Sequence, residues 1–162
     1  MHLPLATLTP TLLAAVTAVT AATLPGKFTL ASQNGDLVRT DGQNIFLGAR
    51  ESGHPKLVLS SSSGGEVTYT AKEQTPTGGQ YLFVVSNDVE PVGLTSPHSG
   101  QLPEDGQISN FSVRDDGVFV HGGKPWFAVD PDVMGSRKIF WLGLGHSKYQ
   151  QVLLSVNECE DC

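Results

Sequence analysis

From residue 23 onward the chain never sustains an apolar repeat of helical period. It is broken instead into short runs rich in Val, Ile, Phe, Tyr, Thr and Leu, each bounded by Gly, Pro, Asn, Asp or Ser. Strands are expected at 27–32, 36–39, 44–48, 56–60, 66–70, 80–85, 91–95, 107–114, 117–121, 125–129, 138–143 and 149–156. Between them stand Asn34-Gly35, Asp41-Gly42, Asp116-Gly117 and Gly122-Gly123, pairs whose residues tolerate the positive φ of tight hairpin turns. Short strands in this number, with 18 glycines to supply turns, predict an all-β domain. The expected architecture is a single antiparallel β-sandwich or a closed β-barrel. A β-trefoil is the alternative, because "FTLASQNGDLVRTDG" from Phe28 echoes "FSVRDDGVFVHGG" from Phe111. No persuasive middle copy is found near Tyr69.

Residues 3–22, "LPLATLTPTLLAAVTAVTAA", contain no charged side chain and end in small residues. Val19-Thr20-Ala21 has the small –3/–1 pattern of a signal-peptidase site, and Thr20-Ala21-Ala22 is nearly as good. Pro4 and Pro10 argue against a stable spanning helix. The expected organisation is a cleaved secretory signal over 1–22, an all-β domain over 23–156 and an acidic, cysteine-containing tail over 157–162. No second apolar stretch approaches the length needed to span a bilayer, so the mature product is expected to be secreted and free of the membrane. The net charge is –6, and Lys and Arg are scattered singly apart from Arg137-Lys138. A polyanion binder needs basic clusters to displace counterions, so nucleic acid is not an expected partner.

The cysteines, Cys159 and Cys162, sit in the last four residues. Their C-x-x-C spacing invites a redox reading, but Glu158, Glu160, Asp161 and the chain carboxylate all disfavour a thiolate. A local disulfide is the simpler expectation, with pairing to another chain left open. Two cysteines alone are too few for a structural zinc site.

Chemistry-bearing patterns are sparse. His54, His98, His121 and His146 form no H-x-H or H-E-x-x-H pair, and no metal site or cofactor is expected. Ser147 follows a histidine in "GLGHSKY" without the strand–turn–helix elbow of a serine hydrolase. Asp115 and Asp116 are adjacent and read as turn residues, not as a catalytic pair facing across a cleft. Glu104-Asp105-Gly106 reads the same way. Trp126, Trp141, Tyr69, Tyr81 and Tyr149 are candidates for a sugar platform, although Trp126 and Trp141 lie in strand-like runs where core packing is the expected role. Asn110-Phe111-Ser112 is an N-glycosylation sequon. The segment "VGLTSPHSGQLPEDGQISNFSV", Val92 to Val113, is a shaped connection in which His98 and Ser99 mark a candidate binding loop.

Several of these residues together resemble the fungal secreted cell-wall proteins of the phialide-associated (phiA) type, a family that includes secreted allergens. Its opening F-T-L-x-A strand is matched by Phe28-Thr29-Leu30-Ala31, and its F-x-L-G strand by Phe46-Leu47-Gly48. Gly93, His98-Ser99, Pro103, Gly106 and Phe111 follow its glycine-aromatic strand, A-H-S and proline-glycine turn. Asp116-Gly117, Val118-Phe119 and Phe127-Ala128-Val129-Asp130-Pro131 follow its later part. Val129-Asp130 stands where the family carries cysteine, so a family-type disulfide is absent there. The resemblance implies a non-enzymatic fungal β-protein, wall-associated or extracellular, acting structurally or by binding. It brings no catalytic residue with it. A carbohydrate-binding module or a secreted effector is the alternative, and the expected partners are cell-wall polysaccharide or wall proteins.

Overall fold

The computed structural model describes residues 22–48, 53–71, 79–143, 145 and 148–162. The signal-like run therefore lies outside the described residues except for Ala22, as do His146 and Ser147. Where the chain is described it is all-β, built from antiparallel sheets packed as a sandwich. The sheets do not close into a barrel, which sets aside the barrel and trefoil alternatives.

One sheet has the order β15-β1-β4-β5-β6-β8, with β9 also pairing β6. Its members are β1 (Lys27–Ser32), β4 (Val58–Ser61), β5 (Val67–Tyr69), β6 (Gln80–Val85), β8 (Gly93–Leu94), β9 (Gly106–Gln107) and β15 (Leu154–Glu158). The second runs β14-β12-β13-β3-β2, with β7 also pairing β13. It contains β2 (Val38–Thr40), β3 (Ile45–Leu47), β7 (Val89–Pro91), β12 (Phe127–Val129), β13 (Arg137–Leu142) and β14 (Gln150–Gln151). A separate hairpin joins β10 (Phe111–Val113) to β11 (Phe119–His121).

Three runs expected as single strands are each divided, and the division has one cause. The run at 91–95 bonds first to β13 through β7, then to β6 through β8. Between them the Val92 N–H donates to the Ile139 carbonyl (2.8 Å) of the six-stranded sheet. The run at 149–156 behaves alike: β14 pairs β12, and β15 then pairs β1. The run at 107–114 leaves β6 after β9 and turns at Asn110, where φ is 66°, before β10 joins β11. Such sheet-switching strands are the corners of a sandwich whose sheets share their edges.

The Phe28 and Phe111 echo is a shared turn. The Ser32 N–H reaches the Asp36 carbonyl (2.8 Å), as that of Arg114 reaches Val118 (2.9 Å). Gly35 and Gly117 occupy the left-handed position of each turn, with φ of 86° and 81°.

The core is aromatic along its length. Phe119 lies 6.0 Å from Phe28, 5.4 Å from Phe111 and 5.4 Å from Phe127, while Phe127 and His121 both pack against Trp141. At the C-terminus, β15 continues past residue 156: Asn157 and Glu158 pair with Thr29 and Phe28. Cys159 and Cys162 are joined, and the Cys159 N–H donates to the Lys27 carbonyl (3.0 Å). That disulfide closes a very short loop on an already paired strand. Replacing both cysteines with serine is expected to cost no more than about 2 kcal/mol, read as the shift in urea midpoint.

Candidate functional site

The segment from Val92 to Val113 holds every non-glycine residue with positive φ among the described residues: His98 (61°), Asp105 (57°) and Asn110 (66°). Two of the three sit in tight turns. The Ser99 N–H donates to the Ser96 carbonyl (3.1 Å), closing a turn with Pro97 second and His98 third. The Gly106 N–H does the same to Pro103 (3.0 Å), with Asp105 third. Proline second and a left-handed residue third is the signature of a type II turn, whose third position ordinarily takes glycine. His98 therefore occupies a backbone position that its own side chain disfavours by roughly 1 kcal/mol. Its ring stands exposed at the turn tip, and Ser99 Oγ accepts from the Gln101 N–H (3.2 Å), which stiffens the chain up to Gln101. Replacing His98 with glycine is accordingly expected not to lower the thermal midpoint, whereas His98→Val, β-branched at positive φ, lowers it.

Beside this turn runs an open groove of ≈ 670 Å³. One wall is Thr95, Ser96 and Pro97; the other is the Thr40–Gln43 turn with His54 and Pro55; Tyr69, Gln80 and Leu94 form the floor. Gln80 is 2% exposed and ties the walls together, its Nε2 donating to the Gly42 carbonyl (2.7 Å) and the Thr95 carbonyl (2.6 Å). Thr95 Oγ1 accepts from the Tyr81 N–H (2.9 Å), and the Leu94 N–H donates to the Gln43 carbonyl (2.8 Å). The groove is thus held open by bonds spanning both walls.

Its electrostatics are mild. Asp41 Oδ1 accepts from the N–H groups of Gln43 (2.8 Å) and Asn44 (2.7 Å), an Asx turn. Partial burial works to raise the carboxyl, but these amides, the Asn44 side chain and the nearby His54 together hold it below its usual range. His54 stacks on Phe46 (5.0 Å, 18°), while its carbonyl accepts from Arg39 Nη1 (2.8 Å). Burial pushes the Tyr69 hydroxyl up, keeping it a neutral donor. The exposed lining is the Asp41 carboxylate, the Gln43 amide and the Ser96 hydroxyl beside the rings of Pro55 and Pro97, while Thr40, Gln80, Thr95 and Leu94 lie buried beneath with their polar groups bonded within the protein. Such a surface suits a neutral ligand with both hydroxyls and an apolar face.

The remaining sequence candidates fall elsewhere. Asn110 is exposed ahead of β10, and its backbone is pinned by the Gly122 N–H donating to its carbonyl (2.9 Å). Trp141 is 3% exposed, in the core role expected of it. Trp126 is half-buried with Lys124 Nζ 4.0 Å above its ring. Tyr149 packs against Phe140 (4.5 Å), away from the groove. Asp116 pairs with Arg114 within the β10–β11 turn, in keeping with its reading as a turn residue. His121 is buried against Phe111 and Trp141. Among the described residues, no three His, Cys, Asp or Glu side chains converge as a metal site. Of the groove residues, Tyr69 was marked as a sugar-platform candidate and His54 among the histidines. Asp41-Gly42 was legible as a turn, but Gln80 and Thr95 carry no local signal, and the meeting of these parts is a product of sheet pairing.

Compared with protein-family models, with curated proteins and with solved structures, the chain matches none.

Proposed function

We propose that this chain is a secreted fungal protein, wall-associated or extracellular, that acts without catalysis by binding neutral cell-wall polysaccharide in the groove beside His98. The carrying observation is the groove itself: walls cross-tied by the buried Gln80, with the exposed Asp41, Gln43 and Ser96 beside the Pro55 and Pro97 rings, and Pro97 leading into the His98–Ser99 turn just outside the lining. The resemblance to the phialide-associated wall proteins supports the same reading. Retention on chitin or β-glucan is the expected result, with substantial loss in the double variant Gln43→Ala/Ser96→Ala. Both residues are exposed on the groove rim, so the fold tolerates their truncation. No retention of the unaltered protein on any polysaccharide sinks the proposal.

The secretory reading has its own test. Ala22 exchanges two backbone hydrogen bonds with Val113, its N–H to the Val113 carbonyl (2.8 Å) and the reverse bond at 3.3 Å. Cleavage after Ala21 preserves both, and cleavage after Ala22 removes both. Intact mass of the secreted product is expected to begin at Ala22 and to carry an N-glycan that disappears in Asn110→Gln. A product beginning at Thr23 keeps the 1–22 boundary and gives up both bonds, whereas one retaining Met1 overturns the secretory reading.

A further inference from the structure

Side chains of β13 alternate between two faces, and Arg137 falls on the core side with Ile139 and Trp141, both buried. A cation on the inward face of a sandwich is costly to desolvate and is ordinarily paired. Arg137 is half-buried, yet its guanidinium makes no hydrogen bond or ion pair among the described residues. It lines instead a cleft of ≈ 270 Å³, bounded by the end of β1 and the corner between β14 and β15.

The floor of this cleft is apolar, formed by the buried Leu47 and Val129. One wall is the turn after β1, with the exposed Asn34 and Asp36, and another is β14, with the exposed Gln150. Both are fixed by the backbone. The Ser32 N–H donates to the Asp36 carbonyl (2.8 Å), and the Asp36 N–H donates back to Ser32 Oγ (3.2 Å). Gln150 pairs with Val129, and the Val152 N–H donates to the Phe127 carbonyl (2.8 Å). Arg137 and Asp36 are the charged groups of the lining, and they do not pair with each other. A ligand is therefore offered a cation at one point and, separately, a carboxylate flanked by amides.

We propose that this cleft binds a sugar acid, a uronic-acid unit whose carboxylate is held by Arg137 and whose hydroxyls meet Asp36, Asn34 and Gln150. A guanidinium grips a carboxylate through two parallel N–H donors, a fit that lysine does not offer. Leu47 and Val129 suit the apolar face of the ring. Asp36 accepts from hydroxyls but repels a second negative charge, so a monoanion is favoured over a phosphate ester. The volume lies just under the range of drug-sized sites, about 300–1,000 Å³, and admits a single sugar unit. The cleft shares no lining residue with the groove beside His98, so the proposal does not rest on polysaccharide binding there.

The test is a chemical-shift titration of the mature secreted protein with methyl glucuronide and methyl galacturonide. A dissociation constant of about 1 mM is expected for so small a ligand, with shifts at the backbone amides of Arg137 and Gln150. Methyl glucoside, methyl galactoside and glucose 6-phosphate each bind roughly tenfold more weakly or worse. Asp36→Asn narrows the margin for the phosphate. Arg137→Gln weakens uronide binding roughly tenfold or more, and Arg137→Lys recovers only part of it. Gln150→Ala, at an exposed position, weakens it less and reports on the site without disturbing the inward face of β13. A free sugar acid and the end unit of an acidic polysaccharide present the same groups. Tighter binding of tri-galacturonate than of methyl galacturonide assigns the site to a chain end, and equal binding assigns it to single units. The proposal is overturned by the lack of a saturable shift with either uronide, by a neutral glycoside or the phosphate binding as tightly, or by Arg137→Gln binding as the parent does.

Discussion

Replacing Phe119 with alanine is expected to lower the unfolding free energy by about 3–5 kcal/mol, a large share of the roughly 5–15 kcal/mol that a domain this size commands. The reason lies in what the ring joins. Phe119 is fully buried on β11, stacked on Phe111 across the hairpin (5.4 Å, 4°). It also touches Phe28 of the seven-stranded sheet (6.0 Å) and Phe127 of the six-stranded sheet (5.4 Å). One side chain thus ties together three sheets that share few backbone bonds. The hairpin's backbone links to its surroundings are few: Ala22 to Val113, the Phe111 N–H to the Gly65 carbonyl, Val118 to Ser155, and the Val156 N–H to the Gly117 carbonyl. Truncation leaves a cavity that rigid strands on three sides cannot collapse to fill. Phe119→Leu, which keeps most of the volume, is expected to cost less than half as much. Urea titrations of both variants decide the matter. A change in midpoint at constant slope reports lost packing, whereas a changed slope reports that the hairpin has detached and the transition is no longer two-state.

How much of this was visible in the sequence depends on whether a feature is local. β1 and β6 match their expected bounds to the residue, because each is an uninterrupted run with turn formers at both ends. The turns at Gly35 and Gly117 were legible for the same reason, since glycine after Asn or Asp announces a left-handed residue. The corners were not legible. Val92, Asn110 and the stretch between β14 and β15 look like continuing strand, and only the partner to which each backbone bonds shows that the chain has changed sheets. His98 was legible as a loop residue, but its positive φ was not, because nothing local marks histidine for a position that glycine favours. The groove lay furthest from view. Its walls come from residues 40–43, 54–55 and 95–97, and its tie, Gln80, reads in sequence as an ordinary polar strand start. Burial of that amide follows from two distant carbonyls converging on it, which is a consequence of topology.

Acidification supplies the second large effect, and its source is His121. The side chain is 5% exposed, with the Phe111 ring 4.9 Å away and the Trp141 ring edge-on at 5.1 Å. Among the described residues its Nε2 has no hydrogen-bond partner, so the ring nitrogen bonded to the Ser109 carbonyl is Nδ1. Burial lowers the imidazole below its ordinary range, and the bond to Ser109 offsets this only in part. Among the described residues, no carboxylate forms an ion pair with His121. Lys124 directs its ammonium over Trp126, and Glu90 opposes Trp141 at the backbone on β7. With the folded value depressed, the unfolded chain takes up the proton first as pH falls. His121 therefore contributes its full stability above the ordinary histidine value near 6.5, and that contribution is lost progressively as pH falls toward the folded value. The slope from this one group is bounded at about 1.4 kcal/mol per pH unit. His121→Phe keeps the ring packing and removes the titration. It is expected to cost about 1 kcal/mol at neutral pH, because the Ser109 carbonyl loses its donor, yet to lose less than the parent as the medium is acidified. Unfolding free energies of both proteins, measured across about pH 5 to 7.5 where histidine titrates, test this directly. Converging profiles locate the acid sensitivity at His121, and parallel ones place it elsewhere.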